Sequence, residues 1–268
     1  LLTALLADLT HRFIEDPIRY SKPHPKLVIK SGAAATAASL MMGAAIYLSF
    51  NDEIKLDNGR SYSVSELIKR PVIYDDDCHV NNGEVKSGEC TYGDKNSSKT
   101  IVLYGDSHAA QWFPALEKLA NERSFKLISL TKSACPAPEV KKVQIGAYKN
   151  ADCFKWRSNT LKRIHELKPD AVILSGFQHF DVPDGLGSRQ KWWADGQLNA
   201  YGHLVGASKN LIYISDTPHP TRDIPNCLAS KGGDKCDDSE KSDPAISGNF
   251  IKVNPTPWLC NTTCPAIV

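Results

Sequence analysis

From residue 100 onward, short apolar runs alternate with longer amphipathic segments. The apolar runs are rich in Val, Ile and Leu, and they predict strands at residues 100–104, 125–130, 171–175 and 211–215. The segments between them predict helices at residues 109–121, 152–167 and 189–207. Strands that alternate with helices favour a mainly parallel sheet with helices on both faces. The sequence therefore predicts an α/β protein with a three-layer α/β/α architecture.

Residues 31–50 show a different pattern, because they form an apolar run of twenty positions without a charge. A helix of that length spans about 30 Å, which is the thickness of the hydrocarbon core of a membrane. A buried Ala-rich helix and a cleaved signal peptide are the two alternatives. Against the signal peptide, about thirty residues precede the run and no A-x-A cleavage site follows Tyr47. We therefore predict a transmembrane helix over residues 31–50.

The flanks of this run predict its orientation. The preceding side is basic between Arg12 and Lys30, whereas the following side opens with Asn51, Asp52 and Glu53. Basic flanks remain in the cytoplasm. We therefore expect everything after residue 50 to lie outside the cytoplasm.

The charge of the chain argues against nucleic-acid binding. The net charge is +2, and residues 1–50 account for all of it, with five basic residues against three acidic ones. The remaining body is neutral, whereas binding to nucleic acid needs a basic face. The hydrophobic fraction of 41% and the charged fraction of 23% also exclude a collagen-like, disordered or coiled-coil chain.

Eight cysteines follow the apolar run, and an even number outside the cytoplasm suggests disulfides. Half of a zinc site at Cys260 and Cys264 is the alternative, although no second close pair has matching spacing. Sequential pairing is the simplest connectivity because the cysteines fall into four clusters of two. The predicted pairs are Cys78–Cys90, Cys135–Cys153, Cys227–Cys236 and Cys260–Cys264.

Residues 51–99 are polar and carry only short patterned pieces, so they predict a linker or extension with little core of its own. His79, within this segment, is interpreted as a surface histidine. After Asp216 the chain is rich in Pro, Gly, Asp and Cys, with no clear helix. The last strand and helix of an α/β domain are therefore expected beyond Val268.

The first predicted strand runs directly into Gly105, Asp106, Ser107 and His108, and a helix follows. Ligands of an open parallel sheet bind beyond the carboxyl ends of its strands. A serine on this turn is suited to act as a nucleophile, because the start of a helix stabilises a developing oxyanion. The alternative is that Asp106 or Ser107 only caps the helix. The G-x-S-x-G elbow of the α/β-hydrolases is absent, since Ala109 replaces its second Gly.

The longer string G-D-S-H-A-A-Q-W at residues 105–112 resembles the first block of the SGNH hydrolase superfamily. It is most similar to SGNH domains fused to acyltransferase-3 (AT3) membrane proteins, whose domain is flavodoxin-like. Residues 11–19 resemble the F-I-E-x-P-x-R string that closes the AT3 membrane bundle. The resemblance implies four regions: the end of the bundle and a cytoplasmic loop (1–30), a transmembrane helix (31–50), a periplasmic linker (51–99) and a C-terminally truncated SGNH domain (100–268).

The resemblance also implies roles for individual residues. Ser107 is the expected nucleophile, and Gln178 stands where the family has an oxyanion-binding Asn. Substrate-binding positions are implied at Asp106, His108, Ser133 and Gly176, with an oxyanion N–H expected near Ser133 or Ala134. Asp216 and His219 match the letters of the family's D-x-x-H block and are the alternative triad partners. The string W-L-C at residues 258–260 resembles a segment that precedes that block, so we expect the catalytic Asp and His beyond Val268.

The function implied is a serine-dependent acyltransferase for groups other than amino-acyl groups. It would transfer an acyl group, most simply acetyl, to a cell-envelope polysaccharide such as the O-antigen of lipopolysaccharide, or to a lipid-linked glycan. Acetyl-CoA is the expected donor for the full-length protein, and no cofactor or metal is expected on this chain. The implied location is the bacterial inner membrane, with the SGNH domain in the periplasm. A periplasmic carbohydrate esterase and a non-catalytic carbohydrate-binding module are the alternatives.

Overall fold

The computed structural model of the protein describes most of the chain. The described residues are 2–20, 24–49, 53–55, 61–63, 69–141, 150–224, 226–227, 234–239, 246–260 and 263–264. The chain divides into two compact units. One comprises Leu1–Ile54 with Tyr62–Ser65, and the other comprises Lys55–Ser61 with Glu66–Val268.

The first unit is helical. Its elements are helix α1 (Leu2–Thr10), a π-helical turn (His11–Glu15), helix α2 (Asp16–Tyr20) and helix α3 (Pro25–Ser49). Within α3, Val28–Leu48 is long and apolar enough to cross a membrane, with a mean hydropathy of 1.3 and no burial. The predicted span of 31–50 falls largely within α3, and its last residue lies outside the described residues. A signal sequence has the same length and composition, so the transmembrane assignment stays a prediction.

The second unit contains a seven-stranded sheet. Its strands are β3 (His79–Val80), β4 (Thr91–Gly93), β5 (Thr100–Gly105), β6 (Lys126–Lys132), β7 (Ala171–Ser175), β8 (Asn210–Ile214) and β10 (Ile251–Val253). Their order in the sheet is β10-β8-β7-β5-β6-β3, and β4 pairs with residues Lys126–Ile128 of β6. All pairs are parallel except β4–β6. The strand β10 was not predicted from the sequence.

Helices alternate with these strands. They are α4 (Ser107–Ala110), α5 (Phe113–Arg123), α6 (Asn150–Leu167), α7 (Arg189–Leu204) and α8 (Thr256–Leu259), with 3-10 turns at Val72–Tyr74 and Asp234–Cys236. Two small two-stranded sheets lie outside the main sheet. They are β1 (Glu53–Lys55) with β2 (Ser61–Ser63), and β9 (Asp238–Ser239) with β11 (Thr263–Cys264).

The central strand β5 shows why the sheet is covered on both faces. Successive side chains of a strand point to opposite faces. Val102 and Tyr104 pack into one buried cluster, which includes Trp156 of α6. Leu103 packs into a second cluster, which includes Phe113 of α5. The predicted three-layer α/β/α fold is confirmed.

All four predicted disulfides are present. Their Cα–Cα distances are 5.5 Å for Cys78–Cys90, 5.4 Å for Cys135–Cys153, 5.6 Å for Cys227–Cys236 and 4.2 Å for Cys260–Cys264. Because every cysteine sulfur is bonded to another sulfur, none is available to bind zinc. Disulfides persist in oxidising compartments, so they indicate that the second unit lies outside the cytoplasm.

The domain boundary predicted at residue 100 does not coincide with the edge of the sheet. Strands β3 and β4 both precede that residue and pair with β6, and Ile73 is fully buried. These strands have two and three residues, which is too short for a periodic pattern to appear in the sequence. The segment read as a linker is, from about residue 72, part of the folded domain.

Helix α6 fixes this segment through polar side chains. Arg163 donates to the carbonyl oxygens of Gly88 and Glu89 at 2.5 and 2.8 Å. Asn159 donates to the carbonyl of Val85 at 2.8 Å. These bonds satisfy backbone carbonyls of a segment that has little regular structure, so the loop closed by Cys78–Cys90 is held against the domain.

His79 lies inside the protein rather than on its surface, with 2% exposure. Its Nδ1 is 3.0 Å from the Thr131 hydroxyl and its Nε2 is 3.0 Å from the Ser133 hydroxyl. A neutral imidazole has one donor and one acceptor, and two hydroxyls satisfy both. Burial, followed by the charge of Lys132, lowers the pKa of His79 to about 4.

Removing the Cys135–Cys153 disulfide should destabilise the domain more than removing Cys260–Cys264. The separations are 18 and 4 residues, so the loop-closure entropies predict losses of about 3 and about 2 kcal/mol. Double Cys→Ser variants of each pair would be compared by denaturant unfolding. Equal losses, or a larger loss for Cys260–Cys264, would contradict this expectation.

Stability should fall as the pH falls through the window set by His79. The unfolded state binds a proton near pH 6.5, whereas the folded state resists it down to about pH 4. The free energy of unfolding should therefore decrease by up to about 3 kcal/mol as the pH is lowered across this window. A His79→Gln variant lacks the titrating group, so its unfolding free energy should depend less on pH. Parallel pH curves for the two proteins would show that His79 is not the responsible group.

Candidate active site

Ser107 lies where the central strand β5 meets helix α4, and its side chain is exposed. Gly105 shapes the turn before it, with a φ of +152°. A Cβ on Gly105 would lie 2.1 Å from the carbonyl oxygen of Ser175 at the end of β7. Only glycine permits these two strand ends to approach so closely, and this places Ser107 at the carboxyl edge of the sheet.

Asp106 joins the Ser107 turn to the loop after β7. The residue has 1% exposure. Its Oδ1 accepts a hydrogen bond from the His108 N–H at 2.8 Å, and its Oδ2 accepts one from the Phe177 N–H at 2.9 Å. Burial raises the pKa of Asp106 to about 6, although the nearby His108 and the two N–H donors oppose that change. Both oxygens are buried and bonded to backbone N–H groups, and the substrate-binding role predicted for Asp106 stays a prediction.

Asp216 makes the corresponding connection from the end of β8, and it also has 1% exposure. Its Oδ1 is 2.5 Å from Nδ1 of His108 and accepts a bond from the Thr217 N–H at 2.9 Å. Its Oδ2 accepts a bond from the Gln178 N–H at 3.1 Å. We call Asp106, Asp216, the His108 ring and the N–H groups of Phe177 and Gln178 the carboxylate clamp.

The clamp favours the charged form of His108. Burial opposes that form, but the hydrogen bond that the His108 ring donates to Asp216 and the charges of Asp216 and Asp106 together outweigh it, so the pKa of His108 is raised. The ring also contacts Phe177, with 4.7 Å between the ring centroids. The ring of His108 is therefore tied to Asp216, whereas its backbone N–H is tied to Asp106.

Asp216 and His219 do not form the pair that their D-x-x-H spacing suggests. The carboxylate of Asp216 bonds to His108, Thr217 and Gln178. His219 is exposed and stacks on His179, with 4.5 Å between ring centroids and an interplanar angle of 21°. The two residues contact different partners in this structure, and their role as alternative triad partners stays a prediction.

The loop after β6 reaches the same edge as Ser107. The Ser133 N–H donates to the carbonyl of Val80 at 2.9 Å, so this N–H is not available to an oxyanion. Ala134 is partly exposed and has a φ of +55°. Within the described residues, no acceptor bonds its N–H. Of the two N–H groups expected near this position, that of Ala134 is therefore the one left for a ligand.

Gly176 is buried, and its role is to let two loops approach. A Cβ at this position would lie 2.7 Å from Cβ of Pro136, in the loop after β6. The substrate-binding role predicted for Gly176 stays a prediction. Gln178 is also buried, and its N–H belongs to the clamp. The oxyanion role predicted for its side-chain amide stays a prediction.

Sequence reasoning identified most of these residues but not how they are joined. His79 and the link between Asp106 and Phe177 were missed. His79 and its partner Ser133 are 54 positions apart, and Asp106 and Phe177 are 71 positions apart. No local pattern in the sequence encodes contacts over such separations. The only available signal was position, since each of these residues follows or borders a strand end at one edge of the sheet.

Among solved structures, the chain is similar to the periplasmic domain of a lipopolysaccharide acetyltransferase from Salmonella ser. Paratyphi A. The identity is 17% and the TM-score is 0.47, and the match covers 68% of this chain and 78% of the other. The search of curated proteins finds no matching relative. An AT3 domain itself is not detected in this chain, so the resemblance of residues 11–19 to the AT3 bundle remains a prediction.

A family model described as "SGNH domain (fused to AT3 domains)" matches residues 77–268. The match begins at β3, ahead of the boundary predicted at residue 100, and contains the strand ends that carry Ser107, Ala134 and Asp216. The chain belongs to the family of SGNH domains that are fused to AT3 domains.

Proposed function

We propose that the chain carries the SGNH part of an O-acyltransferase that modifies a cell-envelope polysaccharide, with acetyl as the acyl group. The observation that carries this proposal is the exposed Ser107 at the start of α4, at the carboxyl edge of the sheet. Membership of a family defined by fusion to AT3 domains supports transfer rather than binding alone.

The proposed reaction has two steps through one covalent intermediate. Ser107 Oγ loses its proton to a base and attacks the acyl carbonyl carbon, and the donor's leaving group departs with a proton. A sugar hydroxyl then attacks the acyl-serine, the ester bond to Oγ breaks, and Ser107 regains its proton. The negative oxygen formed in each step would be stabilised by the N–H groups of Ser107 and Ala134, with Gln178 as a third donor.

The base in this proposal is not His108. Ser107 and His108 are consecutive residues of α4, and consecutive side chains of a helix do not face each other. Nδ1 of His108 is also engaged by Asp216. We therefore retain the expectation from the sequence that a D-x-x-H block beyond Val268 supplies the catalytic Asp and His. The role of the clamp would then be to hold the loops after β5, β7 and β8 in fixed positions around Ser107.

The proposed transferase differs from an esterase only in the acceptor of the acyl group. If water instead of a sugar hydroxyl attacked the acyl-serine, the overall reaction would be hydrolysis. A non-catalytic binding module would not acylate Ser107 at all. The disulfides support an active site outside the cytoplasm, and a bacterial inner membrane protein would place it in the periplasm. In the full-length protein the acyl group would come from acetyl-CoA through the membrane domain.

Catalysis should require Ser107 and residues beyond Val268. The test compares hydrolysis of an activated acetyl ester by the 268-residue chain and by the protein extended to its natural C-terminus. We expect turnover only from the longer protein, and its Ser107→Ala variant should lose at least about 10³-fold in kcat. If the shorter chain is as active as the longer one, and His219→Ala abolishes that activity, then Asp216 and His219 are the triad partners after all.

Asp216→Asn should both destabilise the domain and slow the reaction. The amide cannot accept from His108, Thr217 and Gln178 together, and the buried donors left without partners should lower the unfolding free energy by roughly 2–4 kcal/mol. The pKa of His108, followed by NMR, should fall because its carboxylate partner is gone. Asp184→Asn, which makes the same change at an exposed carboxylate outside the clamp, is the matched control. An unchanged His108 pKa in Asp216→Asn would show that the clamp does not control this ring.

A further inference from the structure

The turn that presents the N–H of Ala134 is held by few bonds of its own. Ala134 has a left-handed φ of +55°, which a non-glycine residue rarely adopts. The two flanking N–H groups are fixed, that of Ser133 on Val80 and that of Cys135 on Lys132. The bond from Cys135 is 3.2 Å long and closes a single turn. Such a conformation persists only when its surroundings hold it.

The Cys135–Cys153 disulfide anchors the residue after Ala134, and a side chain from a different part of the chain holds the residue before it. His79 belongs to β3, the strand beside β6 at the end of the sheet, and in the parallel register it lies opposite Thr131. Its two ring nitrogens contact hydroxyls on either side of Lys132, those of Thr131 and Ser133. Its ring packs on Tyr74, with 4.4 Å between centroids. The ring therefore cannot shift without breaking both contacts.

We infer that His79 is a positioning residue for catalysis, which holds Ser133 through Nε2 so that the next residue presents its N–H to the oxyanion. This inference rests on the proposed acyl-serine function. His79 touches neither substrate nor Ser107 in this reading, and acts only through the turn. Through His79, the segment that precedes strand β5 would contribute to the proposed active site.

Neighbouring groups explain why a histidine suits this position. Lys132, between the two hydroxyls, points its Nζ to the carbonyls of Asn81 and Glu84. A second cation beside it would be repelled, whereas a neutral imidazole can donate to one hydroxyl and accept from the other. A hydrophobic residue would fill the same space, but the partly buried Ser133 hydroxyl would lose this partner and the buried Thr131 hydroxyl would keep only its 3.4 Å contact with Ser129.

Two substitutions separate the Ser133 contact from the Thr131 contact. The amide of His79→Gln reaches the position of Nε2 and keeps the bond to Ser133. The amide of His79→Asn reaches only the position of Nδ1 and keeps the bond to Thr131. The variants would be made in the protein extended to its natural C-terminus, with Ser133→Ala as the partner variant and the exposed His165→Asn as the matched control.

The first readout is activity on an activated acetyl ester. We expect His79→Asn and Ser133→Ala each to lower kcat by about 10-fold to 100-fold with little change in KM, since an oxyanion donor acts in the transition state. His79→Gln should retain most of the activity. The double variant His79→Asn/Ser133→Ala should be no worse than either single variant, because both remove one contact. Equal losses in the Gln and Asn variants, or an additive double variant, would overturn the inference.

The second readout does not depend on activity. Hydrogen exchange by mass spectrometry, over the peptide that contains residues 133–135, should show faster exchange in His79→Asn than in His79→Gln or the control. Unchanged exchange in His79→Asn would overturn the inference whether or not the protein is an enzyme. Faster exchange with unchanged kcat would leave His79 a purely structural role. Absence of ester turnover and of Ser107 acylation in the unmodified protein would instead overturn the proposed function, while the exchange data would still decide whether His79 holds the turn.

Discussion

Two buried carboxylates organise the whole edge of the sheet at which Ser107 lies. Asp106 and Asp216 come from the ends of β5 and β8, and they accept the N–H groups of two consecutive residues, Phe177 and Gln178, from the loop after β7. Charge-assisted bonds of this kind are stronger than neutral ones, and removing one partner leaves a buried group unsatisfied. The segments that follow β5, β7 and β8 therefore share one fixed arrangement, and the ring of His108 bonds to one of the two carboxylates.

The same bonds limit the chemistry available at the site. The N–H groups of Phe177 and Gln178 are committed to carboxylates, so they cannot bind an oxyanion. In the described part of the chain, the backbone donors proposed for the oxyanion follow the neighbouring strands β5 and β6, and they are the N–H at the start of α4 and that of Ala134. The backbone of the loop after β7 therefore has mainly a structural role, and Gly176 allows this loop to pack closely against Pro136.

The sequence predicted those features that are encoded locally. Strands β5, β6, β7 and β8 are apolar runs with helices between them, and the four disulfides join cysteines that are neighbours along the chain. Strand β10 was missed because Ile251–Val253 is only three residues long and is followed closely by Pro255. The partner of Asp216 was missed because His108 lies 108 positions away, whereas His219 lies three positions away and matched a motif by its letters. Pairing across a sheet edge depends on strand order, and spacing in the chain does not reveal that order.

The attachment of β3 and β4 to β6 decides where this domain could be separated from the helical segment that precedes it in the chain. A soluble version that began at the first apolar run, near Thr100, would leave the edge of β6 opposite β5 without its neighbours, which are β4 along Lys126–Ile128 and β3 along Thr131–Lys132. Its backbone N–H and C=O groups would form a bare edge, which is a template for pairing with other chains. The space filled by Ile73 would open, and the Cys90 thiol would be lost together with its partner. A version of the domain expressed alone should therefore begin ahead of residue 72. The expressed chain would then contain all the strands of the main sheet.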